Sequence, residues 1–230
     1  MFARPHQRFR PRFLLIAFLF SFLCESLSFA GSVPYAGALG GIATLSGDAG
    51  AQQSPQRLNL SSYAPANGGA LDAFAGAHIH NYFSLQGDFI WNRNSLQLNS
   101  SASGNGNFYQ EARSSSQEAA IGNFLLYFRR RGCRIRPYLG VGAGVAHLSS
   151  TRDRIIADGG KPSLPPPQFS STSAVWRTHV GIDVTMIRHL DFRYSFSETV
   201  GQNEISKNLS PPGSSSLKNF QNLFGFVFRF

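Results

Sequence analysis

Residues Leu190 to Ser197 alternate without a break, with Leu190, Phe192, Tyr194 and Phe196 on one side and Asp191, Arg193, Ser195 and Ser197 on the other. A period of two is that of a β-strand, whose successive side chains point to opposite faces. The pattern recurs where Phe83, Leu85, Phe89 and Trp91 oppose Ser84, Gln86, Asp88 and Asn92. It recurs again where Ala174, Trp176, Val180 and Ile182 oppose Arg177, His179 and Asp183. Such strands need an apolar medium on one face and a polar one on the other. Charged residues make up only 14% of the chain, against roughly 25% in soluble domains, while aromatics reach 13% with 21 Phe. After residue 30 no apolar run approaches the ~20 residues of a spanning helix. Lipid tolerates only helices and closed barrels, because every backbone polar group must be paired there. A closed barrel remains.

Eight strands can be laid along the chain, near Tyr35–Ser46, Ala70–Ile79, Phe83–Leu98, Gln117–Arg129, Ile135–Ser149, Thr172–Thr185, Leu190–Thr199 and Asn219–Phe230. Long and short connections alternate between them, as in up-and-down membrane barrels with short periplasmic turns and longer external loops. The expected fold is therefore all-β, an eight-stranded antiparallel up-and-down transmembrane β-barrel spanning 31–230, with both termini periplasmic. The external loops are expected at about 47–69, 99–116, 150–171 and 200–218, and their Ser, Asn, Gly and Pro suit exposed connections. The strands near Tyr35, Ala70 and Gln117 are too Gly/Ala-rich or too apolar on both sides to assign a facing. Tyr35, Tyr82, Trp91, Tyr127 and Trp176 are candidates for aromatic girdles at the membrane interfaces. Alternation alone leaves one rival open: a soluble lipocalin-like barrel with its apolar face turned inward around a ligand.

The first thirty residues read as a secretory signal peptide, cleaved before Gly31. Arg4, Arg8, Arg10 and Arg12 precede the apolar core Phe13–Leu23, and Ser28-Phe29-Ala30 is a small-x-small cleavage site. Cleavage removes those four Arg and Glu25, lowering the net charge from +9 to +6. The remaining basic excess is spread over turns and loops, which suits anionic lipid headgroups better than nucleic acid. Cys133 is left alone, a free thiol in a tight turn.

The terminal strand Asn222–Phe230 places Phe224, Phe226, Phe228 and Phe230 on one face. It resembles the C-terminal insertion signal of outer-membrane barrels: Gly225 five before the end, Phe228 third from last, and Phe230 final. Leu223 stands where that signal usually has a polar residue. Asn81–Phe89 (NYFSLQGDF), Arg136–Gly144 (RPYLGVGAG) and the pair His179–Asp183 with Asp191–Tyr194 are similar to stretches of the OmpA/OmpX-like and opacity-protein group of small barrels. The resemblance spans essentially the whole chain after residue 30. It implies an outer-membrane location in a Gram-negative-type bacterium, insertion by the barrel-assembly machinery, and lipid and lipopolysaccharide as neighbours. It implies little about function, since barrels of this shape serve as adhesins, anchors, stress proteins and enzymes.

An eight-stranded barrel has an interior just wide enough for side chains to fill. Asp88, Arg177, His179, Asp183, Asp191, Arg193 and Arg229 are the expected inward residues, and buried charges must pair. They form a lumen charge network that plugs the barrel. Gly140, Gly142 and Gly144 share a face and leave room there. The function expected is non-enzymatic, with external loops meeting a surface partner the sequence does not name; a small or gated pore is the alternative. A lipid A-modifying enzyme is a weaker one, resting on His147-Leu148-Ser149; the acid that chemistry expects about a dozen residues later is missing, position 159 being Gly with Asp158 the carboxylate nearest to it. His78 and His80, two apart, lack a third ligand, so no metal or cofactor is expected. Gly140-x-Gly142-x-Gly144 lacks the spacing of a phosphate loop, and Arg129-Arg130-Arg131 fits a turn as well as a basic patch.

Overall fold

The computed structural model describes residues 32–55, 57–102, 108–159 and 164–230; the expected signal peptide lies outside them. Ten strands and one short helix follow in order: β1 (Val33–Leu45), β2 (Asp48–Ser54), β3 (Arg57–Pro65), β4 (Gly68–His78), β5 (Phe83–Ala102), β6 (Phe108–Tyr127), β7 (Ile135–Asp158), β8 (Gln168–Ile187), β9 (Leu190–Gly201), α1 (Glu204–Lys207) and β10 (Leu217–Arg229). Eight of the strands close a ring. β1 pairs with both β4 and β10, the sheet continues through β9, β8, β7 and β6, and the β5–β6 ladder joins it back to β4. β2 and β3 are outward continuations of β1 and β4, kinked at Ser46-Gly47 and Ala66-Asn67; β3 still pairs with the far end of β5.

Three of the four expected external loops are therefore largely strand; the fourth, 200–218, is strand only at its ends and holds α1. Residues 48–54 and 57–65 form the β2–β3 hairpin, β5 runs on to Ala102, β6 begins at Phe108, and β7 runs to Asp158. The physical reason is medium. Beyond the apolar belt the outward face turns polar while Leu96, Leu98, Tyr109 and Leu148 are buried on the inward face, so the apolar-out alternation is lost although backbone pairing continues, as where Ser114–Ser116 lie against Ser149–Thr151. β5–β8 thus form a wall of 20 to 24 residues per strand, while β4, β9 and β10 have 11 to 13.

The apolar faces point out. Phe83, Leu85, Trp91, Trp176, Val180, Phe196, Phe224, Phe226, Phe228 and Phe230 are exposed, and Ser84, Gln86, Asp88, Arg177, Asp183 and Arg193 are buried inside. This is the reverse of a lipocalin-like barrel. The three undetermined strands acquire a facing: Tyr35 and Leu39, Asp72 and Phe74, and Gln117, Ile121 and Leu125 turn inward. Tyr35 and Tyr127, expected in the girdles, are instead buried in the lumen, each about 1% exposed. Each sits on the inward parity of its strand and supplies bulk beside a buried arginine, which a lipid-facing tyrosine could not. Trp91 and Trp176 do face out, the latter 70% exposed.

Candidate functional site: the barrel interior and its outer mouth

Inward-facing arginines from β8 and β9 reach across the ring. Arg177 on β8 donates from Nη2 to Asp72 Oδ2 on β4 at 3.0 Å and from Nη1 to Asp88 on β5. Asp88 also accepts from Gln86 Nε2 at 2.7 Å and Asn123 Nδ2 at 2.9 Å. One level closer to the end with the short turns, Arg193 makes a two-pronged contact with Asp183, Nε to Oδ1 at 2.6 Å and Nη2 to Oδ2 at 2.8 Å. Its Nη1 reaches Gln86 Oε1 at 2.8 Å, and its plane lies 4.9 Å from the ring centroids of both Phe74 and Tyr138. The bidentate fork is what a planar guanidinium can make and an ammonium cannot.

Of the residues singled out in the sequence, Asp88 with Arg177, Asp183 with Arg193, and Asp191 with Arg229 (2.9 Å) come together as pairs. His179 is buried but joins no ion pair among the described residues; its ring stands edge-on to Tyr138, and a Cβ on Gly140 would fall inside its imidazole. Gly142 makes room for Asn123 in the same way. Four participants escaped sequence reasoning. Asp72 sits in an Ala-rich strand beside inward Phe74, so no alternation marked its side. Arg136 stacks 3.9 Å above the Tyr127 ring next to His78 and has no carboxylate partner among the described residues. Glu111 and Arg113 lie in what reads as a polar loop.

The outer mouth is closed twice. Ile205 and Leu209, from the segment that follows β9, are buried with Leu45, Tyr63, Leu96, Leu98, Tyr109, Leu148, Phe169 and Leu217 in an apolar cluster. Asn203 caps α1 by accepting from Ser206 N at 2.9 Å and donates to Tyr63 Oη at 2.8 Å, which ties the helix to β3. Ser100 Oγ donates to Ser210 O at 2.5 Å, and Ser61 Oγ donates to Pro211 O. Above this cork, Glu111 accepts from Arg113 Nη1 at 2.7 Å and Arg152 Nε at 2.5 Å. The same two arginines donate to the carbonyls of Pro165, Pro166 and Pro167, strapping that segment across the opening.

An exterior of exposed rings and aliphatics around a closed ladder with a charged interior is the arrangement a chain needs to cross a bilayer. No family model and no curated protein matches the sequence. Among solved structures, Neisserial surface protein A (NspA) is similar with a TM-score of 0.50 and 13% identity, over 87% of this chain and 99% of that one. The fold is that of a small outer-membrane β-barrel. Ail, the attachment invasion locus protein of Yersinia pestis, is a looser match, with a TM-score of 0.43 and 10% identity over 85% of this chain and 98% of that one.

In this barrel the rival sites do not assemble. His147 faces outward and its Nδ1 lies 2.8 Å from Thr172 Oγ1. Asp158 is eleven residues further along β7, roughly 35 Å away at strand rise, so it cannot orient that histidine. Glu118 does lie opposite His147 in the β6–β7 register, but no ion pair joins them among the described residues, and the register partner of Ser149 is Ser116. His78 is buried against Ser84, whereas His80 is exposed in the turn beside Tyr82 and Phe83. Cys133 is a free thiol in the β6–β7 turn.

Proposed function

We propose that the chain is an integral, non-enzymatic protein of a Gram-negative-type outer membrane, with a plugged polar lumen and an external part that engages the surroundings. The observation that carries this reading is the Arg177 pair with Asp72 and Asp88, spanning the ring beneath the Ile205–Leu209 cork while the aromatic face meets lipid. A buried ion set of this kind is held only when its members satisfy one another. Lipopolysaccharide and phospholipid are the surrounding partners. The turns at the periplasmic end support the second of these, since Arg129, Arg130, Arg131, Arg134 and Arg188 stand there with no acidic residue among 79–82, 128–134 and 186–189. Gly225, Phe228 and Phe230 act as the insertion signal for the assembly machinery. A Cβ on Gly225 would collide with the Ala38 carbonyl across the β1–β10 seam, which gives that glycine a second reason to be there.

The test is recovery of the protein from outer-membrane fractions with slower gel migration after boiling than before. Recovery as a freely dissolved protein would sink the reading. A small or gated pore is the second reading, supported by buried polar atoms without a hydrogen-bond partner among the described residues on the inner faces of β9 and β10, namely Thr199 Oγ1 and Gln221 Nε2. Planar-bilayer recording separates the two: a plug gives no stable conductance.

A further inference from the structure

A polar side chain stands among the rings on the lipid-facing side of β10. Asn222 is exposed there, and its outward neighbours are Phe220 and Phe224 along the strand, Phe196 on β9 and Ile42 on β1. Lys218 Nζ lies 3.3 Å from Glu198 Oε1 and marks the outer edge of the apolar belt on this side. Four residues of a strand tilted by about 45° put Asn222 roughly 9 Å beneath that edge, in a belt about 25 Å tall. A side chain as short as asparagine does not regain the surface from there.

Half of the amide is provided for. Tyr194 Oη donates to Asn222 Oδ1 at 2.9 Å, a contact made on the outside of the barrel. Nδ2 donates to nothing among the described residues, and hydrocarbon offers no water in its place. Polar side chains held inside a lipid belt bond across to another protein segment where they can. The ground beside Asn222 is uneven as well. β10 raises a ridge of Phe224, Phe226 and Phe228, while β1 next to it turns out Ala36, Ala38 and Gly40. A Cβ on Gly40 would meet only the Ala70 carbonyl, at 3.9 Å, so the space outside that position is open.

We propose that the β10–β1 face is the contact between two copies of this chain, side by side in the membrane, with their Asn222 amides hydrogen-bonded to each other across a two-fold axis. All copies cross the bilayer in one sense, so a two-fold axis along the membrane normal brings like residues together at equal depth. An amide is its own complement. Nδ2 of each Asn222 donates to Oδ1 of the other, which keeps a lone pair after accepting from Tyr194. The same rotation sets the phenylalanine ridge of each copy against the furrow of Ala36, Ala38 and Gly40 on the other. A lipid ester or hydroxyl could take the amide hydrogen, but it has no counterpart to ridge and furrow. This inference rests on the proposed placement of the aromatic face in lipid.

Energy transfer between dyes on Cys133, in vesicles of graded protein-to-lipid ratio, measures the association. The unaltered barrels pair well above chance proximity. Asn222→Leu lowers the association constant by roughly tenfold, and Asn222→Gln, which keeps both amide groups, retains most of it. Both variants keep heat-shifted migration, since residue 222 faces lipid. In a Cys133→Ser background, Ile42→Cys links two copies on oxidation, while Val141→Cys on the far side of the ring does not. Four results overturn the proposal: transfer no greater than chance, association that Asn222→Leu does not weaken, cross-linking as fast through Val141→Cys as through Ile42→Cys, or association abolished by added lipid A at constant protein density. Loss of heat-shifted migration in the unaltered chain, or its recovery outside the membrane, would instead indict the underlying reading of the barrel.

Discussion

Arg177 and Asp72 lie 105 residues apart in sequence and 3.0 Å apart in space, on strands that face each other across the whole width of the ring. No neighbouring-strand ladder brings them together; only closure of the sheet does. Their contact, with Asp88 as third member, fixes the barrel's cross-section and gives the interior its polarity.

Replacing Arg177 with Met strands two buried carboxylates. Breaking a buried pair by removing one partner costs about 3–5 kcal/mol, and urea unfolding of the detergent-solubilised barrel should show a loss of that order. The triple change Arg177→Met with Asp72→Asn and Asp88→Asn should recover most of it. A stable rise in conductance without loss of stability would favour the gated pore.

Gly140 and His179 compete for one space, since any side chain on the glycine meets the imidazole. Overpacking of this kind costs about 1–3 kcal/mol, so Gly140→Ala should destabilise the barrel. His179→Ala in the same molecule should relieve it. A double-mutant cycle in urea reads the coupling directly, and additive effects would contradict the packing.

Ile205 is fully buried in the cork although it belongs to the segment between β9 and β10. Ile205→Ala removes buried methyl groups worth about 2–5 kcal/mol, and the loss falls on docking of 202–216 rather than on the ladder. Proteolysis of intact cells should then cleave this segment, while heat-shifted migration persists. Cleavage at an unchanged rate would mean the cork is not held by this contact.

Asp48 supplies a pH dependence at the same place. Burial alone raises its carboxyl pKa, but hydrogen bonds from the Ser206 and Ser215 hydroxyls and the Ala49 amide outweigh this and hold it below the ordinary aspartate value. A depressed folded-state pKa means stability that is present above the unfolded value and lost as pH falls through the folded one. Exchange of the Ile205–Leu209 amides should therefore quicken only in acid, below the usual carboxylate range. Asp48→Asn should make docking insensitive to pH over that window.

Much of the molecule is readable from the order of its residues. Period-two alternation around Phe89, Val180 and Phe192 marks strands with a dry face and a wet one, and it assigns Asp88, Arg177, Asp183 and Arg193 to one side, because the medium on each face selects the side chain locally. Whether that side is inside or outside is not a local property. Tyr35 and Tyr127 illustrate the limit: a tyrosine near a strand end suits an interface and a packed lumen equally, and only ring closure put both beside arginines. Asp72 was invisible for the same reason, its partner Arg177 lying on the opposite side of the ring. The cork and the proline strap lie where the outward face has turned polar and the inward face mixes Leu96 and Leu98 with the Glu111–Arg113 ion pair, so no apolar-out period survives there. Sequence alone determined that the chain pairs into strands with lipid-compatible faces, through short-range periodicity. Which charges meet and what seals the mouth were decided by the tertiary structure, because each depends on strands brought side by side only when the sheet curls and closes.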